Sequence, residues 1–485
     1  MRTTVDLDLP LALDRTTGSG SPLHLQLADA LRAAVREHRL PPGAQLPATR
    51  RLAEQLRLSR ATVTAAYDQL VGEGFLEARH GSGTRVSEHV GALPPPAAAQ
   101  PAPRREAQAV DLVDLRPGRP DTSRLADAAW RSAWRDAALA DVPDVEPPAV
   151  GLPELREQVA AHLRAARGID ADPADVLVTA GTSDGLALVA HVLRVLTGQP
   201  GGQPGGRDPR VVVEDPGYPA AARCLLRLGA HLLPVDADDD GLRVDDLPAG
   251  AGAADAVLVT PSHQYPWGGV LPLERRAALL AWAGESGAVV VEDDYDGEFR
   301  YGAAPLPALA SLAPERVVHL GTFSKVLSPW LRAGYLLAPP ALREPLAGVR
   351  DDLGGPVPGV VQRALATHLA GGGLRRHVAR VRRDHAHRRA LLQSLLAQHP
   401  HLRARGAAAG LHVVVELPGG ADAAAVVAEV AESGYLLADL ASYAVARADL
   451  PPAVVLGYGP ATAGQLRGAV AALARAGARV RHEQR

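Results

Sequence analysis

One lysine stands out among the residues that can do chemistry. The 485-residue chain has 51 lysines and arginines together, and Lys325 is the only lysine. A primary amine forms a Schiff base with an aldehyde and a guanidinium does not, so a lysine kept in an arginine-rich chain suggests nucleophilic amine chemistry. The alternative is chance survival in a genome biased towards arginine, and the residues around Lys325 decide between the two.

Side chains of the types that hold pyridoxal phosphate lie near the ends of several predicted strands. This cofactor needs an amine for its aldehyde, a carboxylate for its ring nitrogen, a donor for its phenolate oxygen, an aromatic face, and donors for its phosphate. Asp293 ends one strand and can pair with the ring nitrogen, while Tyr295, two residues on, can reach the phenolate oxygen. Tyr218 ends another strand and can stack on the ring. The candidate phosphate ligands are Gly181, Thr182 and Ser183, where a helix is expected to begin, with Thr322, Ser324 and Arg332.

Each of these residues has a commoner structural explanation when it is taken alone. An aspartate at a strand end more often forms a turn, and a tyrosine after Pro-Gly more often packs in a core. Gly-Thr-Ser more often only caps a helix. In this order, and with the only lysine among them, they predict a pyridoxal phosphate site in which Lys325 is the catalytic residue. No metal is expected.

These residues must be positioned by a sheet. From about residue 111, short apolar runs alternate with helical stretches, which is typical of a mostly parallel sheet covered on both faces. Ligands bind such sheets at the carboxyl ends of the strands. After about residue 358, long helices with strands at 411–417 and 454–457 predict a smaller α+β subdomain. The other predicted strands are Val176–Thr179, Val211–Glu214, Ala256–Thr260, Ala288–Glu292, Val317–Leu320 and Tyr335–Ala338.

The N-terminal part is predicted to form a separate unit. Apolar residues at four-residue spacing predict a helix from Pro22 to Arg39, followed by shorter helices at Thr49–Leu56 and Ser59–Glu73 with Ser59 as the N-cap. A hairpin with a glycine-rich tip follows at 75–86, so the pattern is that of a winged helix-turn-helix. Residues 21–86 contain nine arginines and six acidic residues, a local positive surplus of the kind that binding to the DNA backbone requires.

Bulk composition narrows the class of protein. The net charge of -3 excludes a wholly basic nucleic-acid binder, so charge has to be considered locally. No apolar run approaches the ~20 residues of a membrane span, the first residues are acidic, and there is one cysteine, so we expect a cytoplasmic protein. The expected organisation is a DNA-binding domain at 19–88, a linker rich in proline and alanine at 89–110, and a cofactor domain at 111–485.

The first unit resembles a known family of regulators. The stretch PLHLQLADALRAAVREHRLPPGAQLPATRRLAEQLRLSRATVTAAYDQLVGEGFLEARHGSGTRV resembles a GntR-type winged helix from end to end. One departure is Arg57, which stands where the turn usually has glycine; a left-handed conformation there would cost about 1 kcal/mol. The resemblance implies DNA contacts at Arg50, Ser59, Arg60, Thr62, Thr64 and Gly81.

The second unit resembles a fold-type-I aminotransferase, and the fusion resembles MocR-type regulators of the GntR group. The matching stretches include TAGTSDGLALVAHVL, VVVEDPGYPA, VVVEDDYDGEFRY and VVHLGTFSKVLSPWLRAGYLLAP. The resemblance implies that Lys325 binds the cofactor covalently, that Asp293 pairs with the ring nitrogen and that Tyr295 pairs with the phenolate oxygen. It also implies a domain-swapped homodimer.

Two departures from the aminotransferase pattern bear on function. Trp267 stands where many relatives have threonine, so we expect a bulky ring close to the site. The late strand that carries a carboxylate-binding arginine in aminotransferases has none at 453–459, and a buried carboxylate without a paired cation is costly.

We therefore predict a transcriptional regulator that senses pyridoxal phosphate, an amine or an amino acid, in vitamin B6 or amino-acid metabolism. The alternative is an active aminotransferase that carries a DNA-binding module, with Arg223, Arg300 or Arg363 replacing the missing arginine. A degenerate domain that only dimerises is a third reading, and the retained lysine argues against it.

Overall fold

The computed structural model describes residues 13–14, 21–79, 83–92, 112–198, 207–301, 307–406 and 409–483. The chain divides into two compact units, Met1–Gln108 and Ala109–Arg485. Within the described ranges, no helix combines the length and the apolar character needed to cross a membrane.

The smaller unit is a three-helix bundle with a hairpin, as predicted. Leu27, Leu31 and Val35 on the first helix are buried against the second and third helices. The first helix ends three residues earlier than expected, because His38 takes a positive φ of 56° before Leu40-Pro41. Its elements are α1 (Leu23–Arg36), α2 (Thr49–Leu56), α3 (Arg60–Gly72), β1 (Leu76–Arg79) and β2 (Gly83–Val86).

The turn between α2 and α3 sets the angle of the two helices. Arg57 ends α2 with φ 51° and ψ 45°, the left-handed conformation that glycine adopts without steric cost. Ser59 then caps α3, because its hydroxyl oxygen accepts a hydrogen bond of 3.0 Å from the Thr62 amide. Val63 and Leu70 of α3 are fully buried and hold the helix on the bundle.

The predicted linker is described only at its start. There, Glu88–Ala92 form a short 3-10 helix. The rest of the linker lies outside the described residues.

The larger unit contains the predicted mostly parallel sheet and a smaller subdomain. In the described part of the chain the main sheet has eight strands in the order β4-β11-β10-β9-β8-β5-β6-β7. The strands from β10 to β6 are parallel, and β11 runs antiparallel to both of its neighbours. The strands of the unit are β3 (Val113–Asp114), β4 (Val176–Thr179), β5 (Arg210–Asp215), β6 (His231–Asp238), β7 (Gly241–Leu242), β8 (Ala256–Val259), β9 (Val289–Asp294), β10 (Val317–Thr322), β11 (Gly334–Leu337), β12 (Arg403–Arg405), β13 (His412–Glu416), β14 (Tyr435–Leu436), β15 (Ala438–Asp439) and β16 (Ala453–Gly457).

Helices cover both faces of this sheet. Val290 packs into one core with α5, α8, α11 and α12, whereas the next residue, Val291, packs into the opposite core with α6, α7 and α10. The helices are α4 (Ala128–Leu139), α5 (Pro153–Arg167), α6 (Thr182–Thr197), α7 (Pro219–Arg227), α8 (Leu273–Ser286), α9 (Leu309–Leu312), α10 (Arg343–Leu353), α11 (Gly359–Ala370), α12 (Gly373–Leu396), α13 (Ala423–Glu432) and α14 (Ala463–Glu483).

The subdomain is an α+β layer, as the sequence predicted. Strands β12, β13, β16 and β15 form a sheet, and α12, α13 and α14 share a core with it. The strand that follows the linker, β3, pairs with β14 of this subdomain, Val113 lying opposite Tyr435. The first residues of the larger unit are thereby tied to its smaller part.

A glycine in the turn before α3 should stabilise the smaller unit. Arg57→Gly removes the steric clash of a Cβ in the left-handed region. We therefore expect the free energy of local unfolding of α2 and α3 to rise by about 1 kcal/mol. Hydrogen exchange of α2 and α3 amides in the full chain measures this. Glu54→Gly, one turn earlier inside the same helix, should have the opposite sign and a similar size. Equal effects of the two variants would contradict the conformational explanation.

Candidate functional site

All ten predicted cofactor ligands line one cavity in the larger unit. They come from positions as far apart in the chain as Gly181 and Arg332, and they meet because the strands that carry them are neighbours in the sheet. Five further residues complete the lining, none of which the sequence singled out: Gly118, Ala180, Thr260, Tyr265 and Pro329.

The carboxyl ends of the strands position these side chains. Asp293 lies on β9 between Glu292 and Asp294, and successive residues of a strand point to opposite faces. The Glu292 side chain therefore points away from the cavity, and it accepts a hydrogen bond of 2.9 Å from His319 Nδ1. Asp294 forms an ion pair of 2.6 Å with Arg167 on that same side, which leaves Asp293 as the carboxylate of β9 that faces the cavity.

Lys325 follows β10 and reaches into the cavity from one side. Its Nζ donates a hydrogen bond of 2.7 Å to the carbonyl oxygen of Gly118. Burial lowers the pKa of the Lys325 amine, and the carboxylate of Asp293 opposes the shift in part. A lysine with a lowered pKa holds more of its amine in the neutral, nucleophilic form.

Asp293 is buried without an ion pair among the described residues. Its Oδ1 accepts a hydrogen bond of 3.3 Å from the hydroxyl of Thr182. Burial raises the pKa of Asp293 to about 7, and the neighbouring charge of Asp294 acts in the same direction. A cation placed against Asp293 would lower that pKa again, so this carboxyl group is suited to a positively charged partner.

The start of α6 forms one end of the cavity. Gly181, with φ 99°, is the N-cap and supplies no side-chain cap, so N–H groups of the first turn remain available to an anion. The hydroxyl oxygen of Thr322 accepts from the Ser324 amide at 3.1 Å, and Arg332 lines the same cavity in a left-handed conformation. Backbone donors, hydroxyls and a guanidinium together suit a phosphate.

Aromatic rings form another wall. Tyr218 and Tyr295 each make an edge contact with Tyr265, at centroid distances of 5.7 and 5.6 Å. The expectation for Trp267 is wrong: its Nε1 donates to the Ala237 carbonyl at 3.1 Å and its ring packs beneath Arg405. The residue of that motif that reaches the cavity is Tyr265, two positions earlier.

Where an aminotransferase would carry its arginine, β16 is apolar. Val455 is fully buried and packs with Trp267 and Tyr443. Among the described residues that line the cavity, Arg332 is the only arginine. Of the suggested replacements, Arg363 donates to the Asp141 carbonyl at 3.0 Å, and neither Arg223 nor Arg300 is among the lining residues.

A buried carboxylate joins the main sheet to the segment beside Tyr265. Asp215, at the end of β5, accepts hydrogen bonds from the backbone N–H groups of residues 445, 446 and 447 at 2.7–2.9 Å. The Gly217 amide also donates to the Tyr443 carbonyl at 3.0 Å. The Tyr443 ring makes an edge contact with Tyr265 at 5.4 Å, so these hydrogen bonds hold the segment beside the aromatic wall.

The smaller unit presents the predicted DNA-contacting residues on and beside α3. Arg50 and Arg60 are exposed, whereas Thr62 and Thr64 are half-buried. The hydroxyls of Ser59 and Thr62 lie 2.8 Å apart, so capping already engages both. Gly81 lies outside the described residues. Arg57, which points from the turn, is exposed and adds a cation to this face.

Comparisons with known proteins separate the two units in the same way. Residues 23–86 match the model of bacterial regulatory proteins, gntR family, and residues 111–453 match aminotransferase class I and II. The HTH-type pyridoxine biosynthesis transcriptional regulator PdxR of Corynebacterium glutamicum is 42% identical over 84% of this chain and 86% of its own length. The probable rhizopine catabolism regulatory protein MocR of Rhizobium meliloti is 33% identical over 80% of both chains. Among solved structures, LysN, the α-aminoadipate aminotransferase of Thermus thermophilus complexed with N-(5'-phosphopyridoxyl)-L-leucine, aligns with a TM-score of 0.66 at 25% identity, covering 77% of this chain and 94% of that one.

Loss of the Asp215 carboxylate should loosen the segment beside the aromatic wall. Asp215→Asn leaves one acceptor oxygen for three backbone donors, so we expect local stability to fall by about 1–2 kcal/mol. Hydrogen exchange at amides 445–447 should become about tenfold faster. Asp449→Asn is the matched control, because Asp449 is exposed and, among the described residues, forms its ion pair with Arg447 of the same segment. Unchanged exchange in Asp215→Asn would show that other contacts hold the segment.

Proposed function

Because this chain belongs to the GntR family of bacterial regulatory proteins, in the MocR-type group that carries an aminotransferase class I and II domain, we propose that it is a transcriptional regulator that senses pyridoxal phosphate through the cavity around Lys325. The observation that carries this proposal is the convergence of all ten predicted ligands on one cavity.

The residues of the cavity fit the separate parts of pyridoxal phosphate. Lys325 would hold the aldehyde carbon covalently, Asp293 the ring nitrogen, Tyr295 the phenolate oxygen, and Tyr218 the ring face. The phosphate would lie at the start of α6, against Gly181, Thr182, Ser183, Thr322, Ser324 and Arg332. When bound, this cofactor supplies an aldehyde for reaction with amines and a ring that withdraws electrons.

Two features of the structure support that fit. Asp293 has a raised pKa and forms no ion pair among the described residues, which is a cost that a protonated ring nitrogen would remove. The first turn of α6 lacks a side-chain cap, and a phosphate would satisfy its free N–H groups.

Signal transfer would begin at the residues that follow the linker. The Gly118 carbonyl holds the Lys325 amine, and the same short stretch pairs with the subdomain through β3 and β14. Reaction of Lys325 with an aldehyde would release this carbonyl. The ligand would then favour one arrangement of the stretch at 112–118 over another, and only to the extent that it binds the two with different affinity.

DNA recognition is assigned to α3 and the residues around it. Arg60 would contact a base edge or a phosphate from the first turn of α3, Thr62 and Thr64 would contact the duplex beside it, and Arg50 would contact the backbone. Ser59 and Gly81 complete the proposed set. A homodimer, domain-swapped as the resemblance implied, would place two such units on a two-fold symmetric operator.

A second candidate is an active aminotransferase, favoured by the complete set of cofactor ligands. The buried Val455 and the absence of a second arginine among the described lining residues favour the regulator. A site without a cation for the α-carboxylate would bind an ordinary amino acid weakly. Pyridoxal phosphate itself is therefore the simplest effector, and an amine without an α-carboxylate is the next.

Lys325→Arg should keep a positive charge and abolish covalent attachment. Incubation of the wild type with pyridoxal phosphate, followed by borohydride reduction, should add the mass of one reduced cofactor to the peptide that contains residue 325. The chain offers no other lysine, so the N-terminal amine is the only competing amine, and peptide mapping separates it. An adduct of equal yield in Lys325→Arg would show that the assignment of Lys325 is wrong.

The cofactor should change occupancy of DNA. We expect footprinting of the intergenic region beside the gene, at one fixed salt concentration, to show a protected site whose affinity or extent changes when pyridoxal phosphate is added. Lys325→Arg should give a footprint that no longer responds to the cofactor.

Two variants of α3 control this experiment. Arg60→Ala should weaken protection, whereas Asp68→Ala, exposed on the same helix, should keep it. A wild-type footprint indifferent to the cofactor would mean that another ligand is the signal, or that the larger unit works as an enzyme.

A further inference from the structure

A buried histidine–aspartate pair lies behind Tyr295. His263 Nδ1 is 2.9 Å from Asp296 Oδ2 and 2.9 Å from the hydroxyl oxygen of Tyr295. The side chains of His263 and Asp296 are each 1% exposed. Neither of the two lines the cavity, so any effect they have on a bound molecule would be exerted through Tyr295 or through their charge.

The contacts identify where the proton of His263 lies. Burial raises the pKa of Asp296, and His263 opposes that shift. An ionised carboxylate only accepts hydrogen bonds, so Nδ1 carries the hydrogen of this contact when Asp296 is ionised. The other ring nitrogen, Nε2, is buried and finds no partner among the described residues, which favours the neutral ring protonated on Nδ1 alone. That N–H is directed at both Asp296 and Tyr295.

This arrangement determines what Tyr295 can do with its own proton. Because its hydroxyl oxygen accepts from His263, the O–H must donate elsewhere, and in this structure it donates to the His263 carbonyl at 3.1 Å. A hydrogen-bond acceptor in the cavity can replace the His263 carbonyl as the partner of the Tyr295 O–H. If Nδ1 carried no hydrogen, it would itself accept the Tyr295 proton and withdraw the donor from the cavity.

We propose that His263 and Asp296 are positioning residues that keep Tyr295 a hydrogen-bond donor to an anionic oxygen of the bound molecule. Asp296 fixes the proton of His263 on Nδ1, and His263 directs the Tyr295 hydroxyl proton into the cavity. This inference rests on the proposed function, since the oxygen it serves is the phenolate of pyridoxal phosphate.

The groups packed around the pair are consistent with a neutral His263. The His412 ring from β13 lies 4.8 Å from the His263 ring; burial lowers the pKa of His412 well below its usual value, and its Nε2 bonds the Pro266 carbonyl at 2.9 Å. The Tyr295 ring also faces the His263 ring, and the Tyr265 ring packs edge-on against Tyr295 and His412. Asp294 and Glu298, from the same segment as Asp296, act on it by charge alone.

The proposal can be separated from a direct effect of the Asp296 charge by the sign of a titration. A hydrogen bond donated to the phenolate stabilises the deprotonated form of the bound cofactor, so loss of the donor raises the midpoint of its visible absorbance change with pH. Removing a nearby negative charge destabilises the protonated form and lowers that midpoint. The two explanations therefore predict opposite shifts for Asp296→Asn.

The experiment is a pH titration of the visible band in the full-length protein loaded with pyridoxal phosphate. Tyr295→Phe should raise the midpoint by about one pH unit, the effect of one hydrogen bond to a charged oxygen. His263→Leu and Asp296→Asn should each raise it by part of that amount, because the Tyr295 hydroxyl remains but is no longer oriented towards the cavity. His263→Asn, whose amide N–H lies close to the position of Nδ1, should recover much of the wild-type midpoint. Asp296→Asn should add less than about 0.2 pH unit in the Tyr295→Phe background, because both changes remove the same interaction.

His162→Asn is the matched control, since His162 also bonds a buried carboxylate, Glu298, but lies outside the cavity; its midpoint should equal that of the wild type. If Asp296→Asn fails to fold, the two His263 variants carry the test. A lowered or unchanged midpoint in Asp296→Asn and His263→Leu, or a full further shift in the Tyr295→Phe background, would overturn the inference alone. Absence of a visible band in the wild type would overturn the proposed function and this inference with it.

Discussion

Burial of three consecutive carboxylates at the end of β9 is the constraint on which the site depends. A buried carboxylate is costly unless it is paired or hydrogen-bonded. Glu292 meets this requirement with His319 and with the amides of Leu309 and Ala310. Asp294 meets it with Arg167. Asp293 alone has only a hydroxyl among its described partners, and it is the one that faces the cavity. Neighbouring helices and strands therefore stabilise two of these acids, and the third faces the cavity in which the ligand is proposed to bind.

The alternation along one strand accounts for this division of roles. Because neighbouring residues of β9 point to opposite faces, the same short run supplies both the buried ion pairs beneath the sheet and the acid of the cavity. The parallel neighbours β8 and β10 end at the same edge, and they bring Thr260 and Lys325 beside it. The acidic run DDYDGE thus lies partly at the cavity and partly in the protein interior away from it. Asp296 belongs to the interior part.

Local signals made much of the site predictable, and long-range contacts account for the rest. Asp293, Tyr295 and Lys325 follow apolar runs whose strand character is visible in the sequence, so their convergence at one edge could be expected. The strand β6 was not predicted because Pro234 interrupts it; the structure tolerates this proline because β7 pairs only with Ala237 and Asp238. Gly118 and Asp215 act on partners 207 and more than 200 residues away, and no local pattern indicates such contacts. The prediction for Trp267 was wrong because the sequence does not show which side chain of its motif points into the cavity.

The distribution of binding groups explains why a sensor is a better description than a catalyst. Every group proposed to hold the cofactor is present, whereas the late strand β16, on which the resemblance leads us to expect a carboxylate-binding arginine, carries buried apolar residues such as Val455. Under the proposed function, binding energy in this site is thus directed at the cofactor, and little of it at a substrate's carboxylate. An enzyme needs interactions that strengthen in the transition state of its substrate, but a regulator needs only a ligand whose affinity differs between two arrangements of the protein. The contact between the Lys325 amine and the Gly118 carbonyl meets that second need, because covalent binding at Lys325 and this hydrogen bond compete for one amine. Under the proposed function, each molecule bound there would remove a contact made by the stretch that leads from the linker, and the free energy of that contact would contribute to the difference in affinity between the two arrangements.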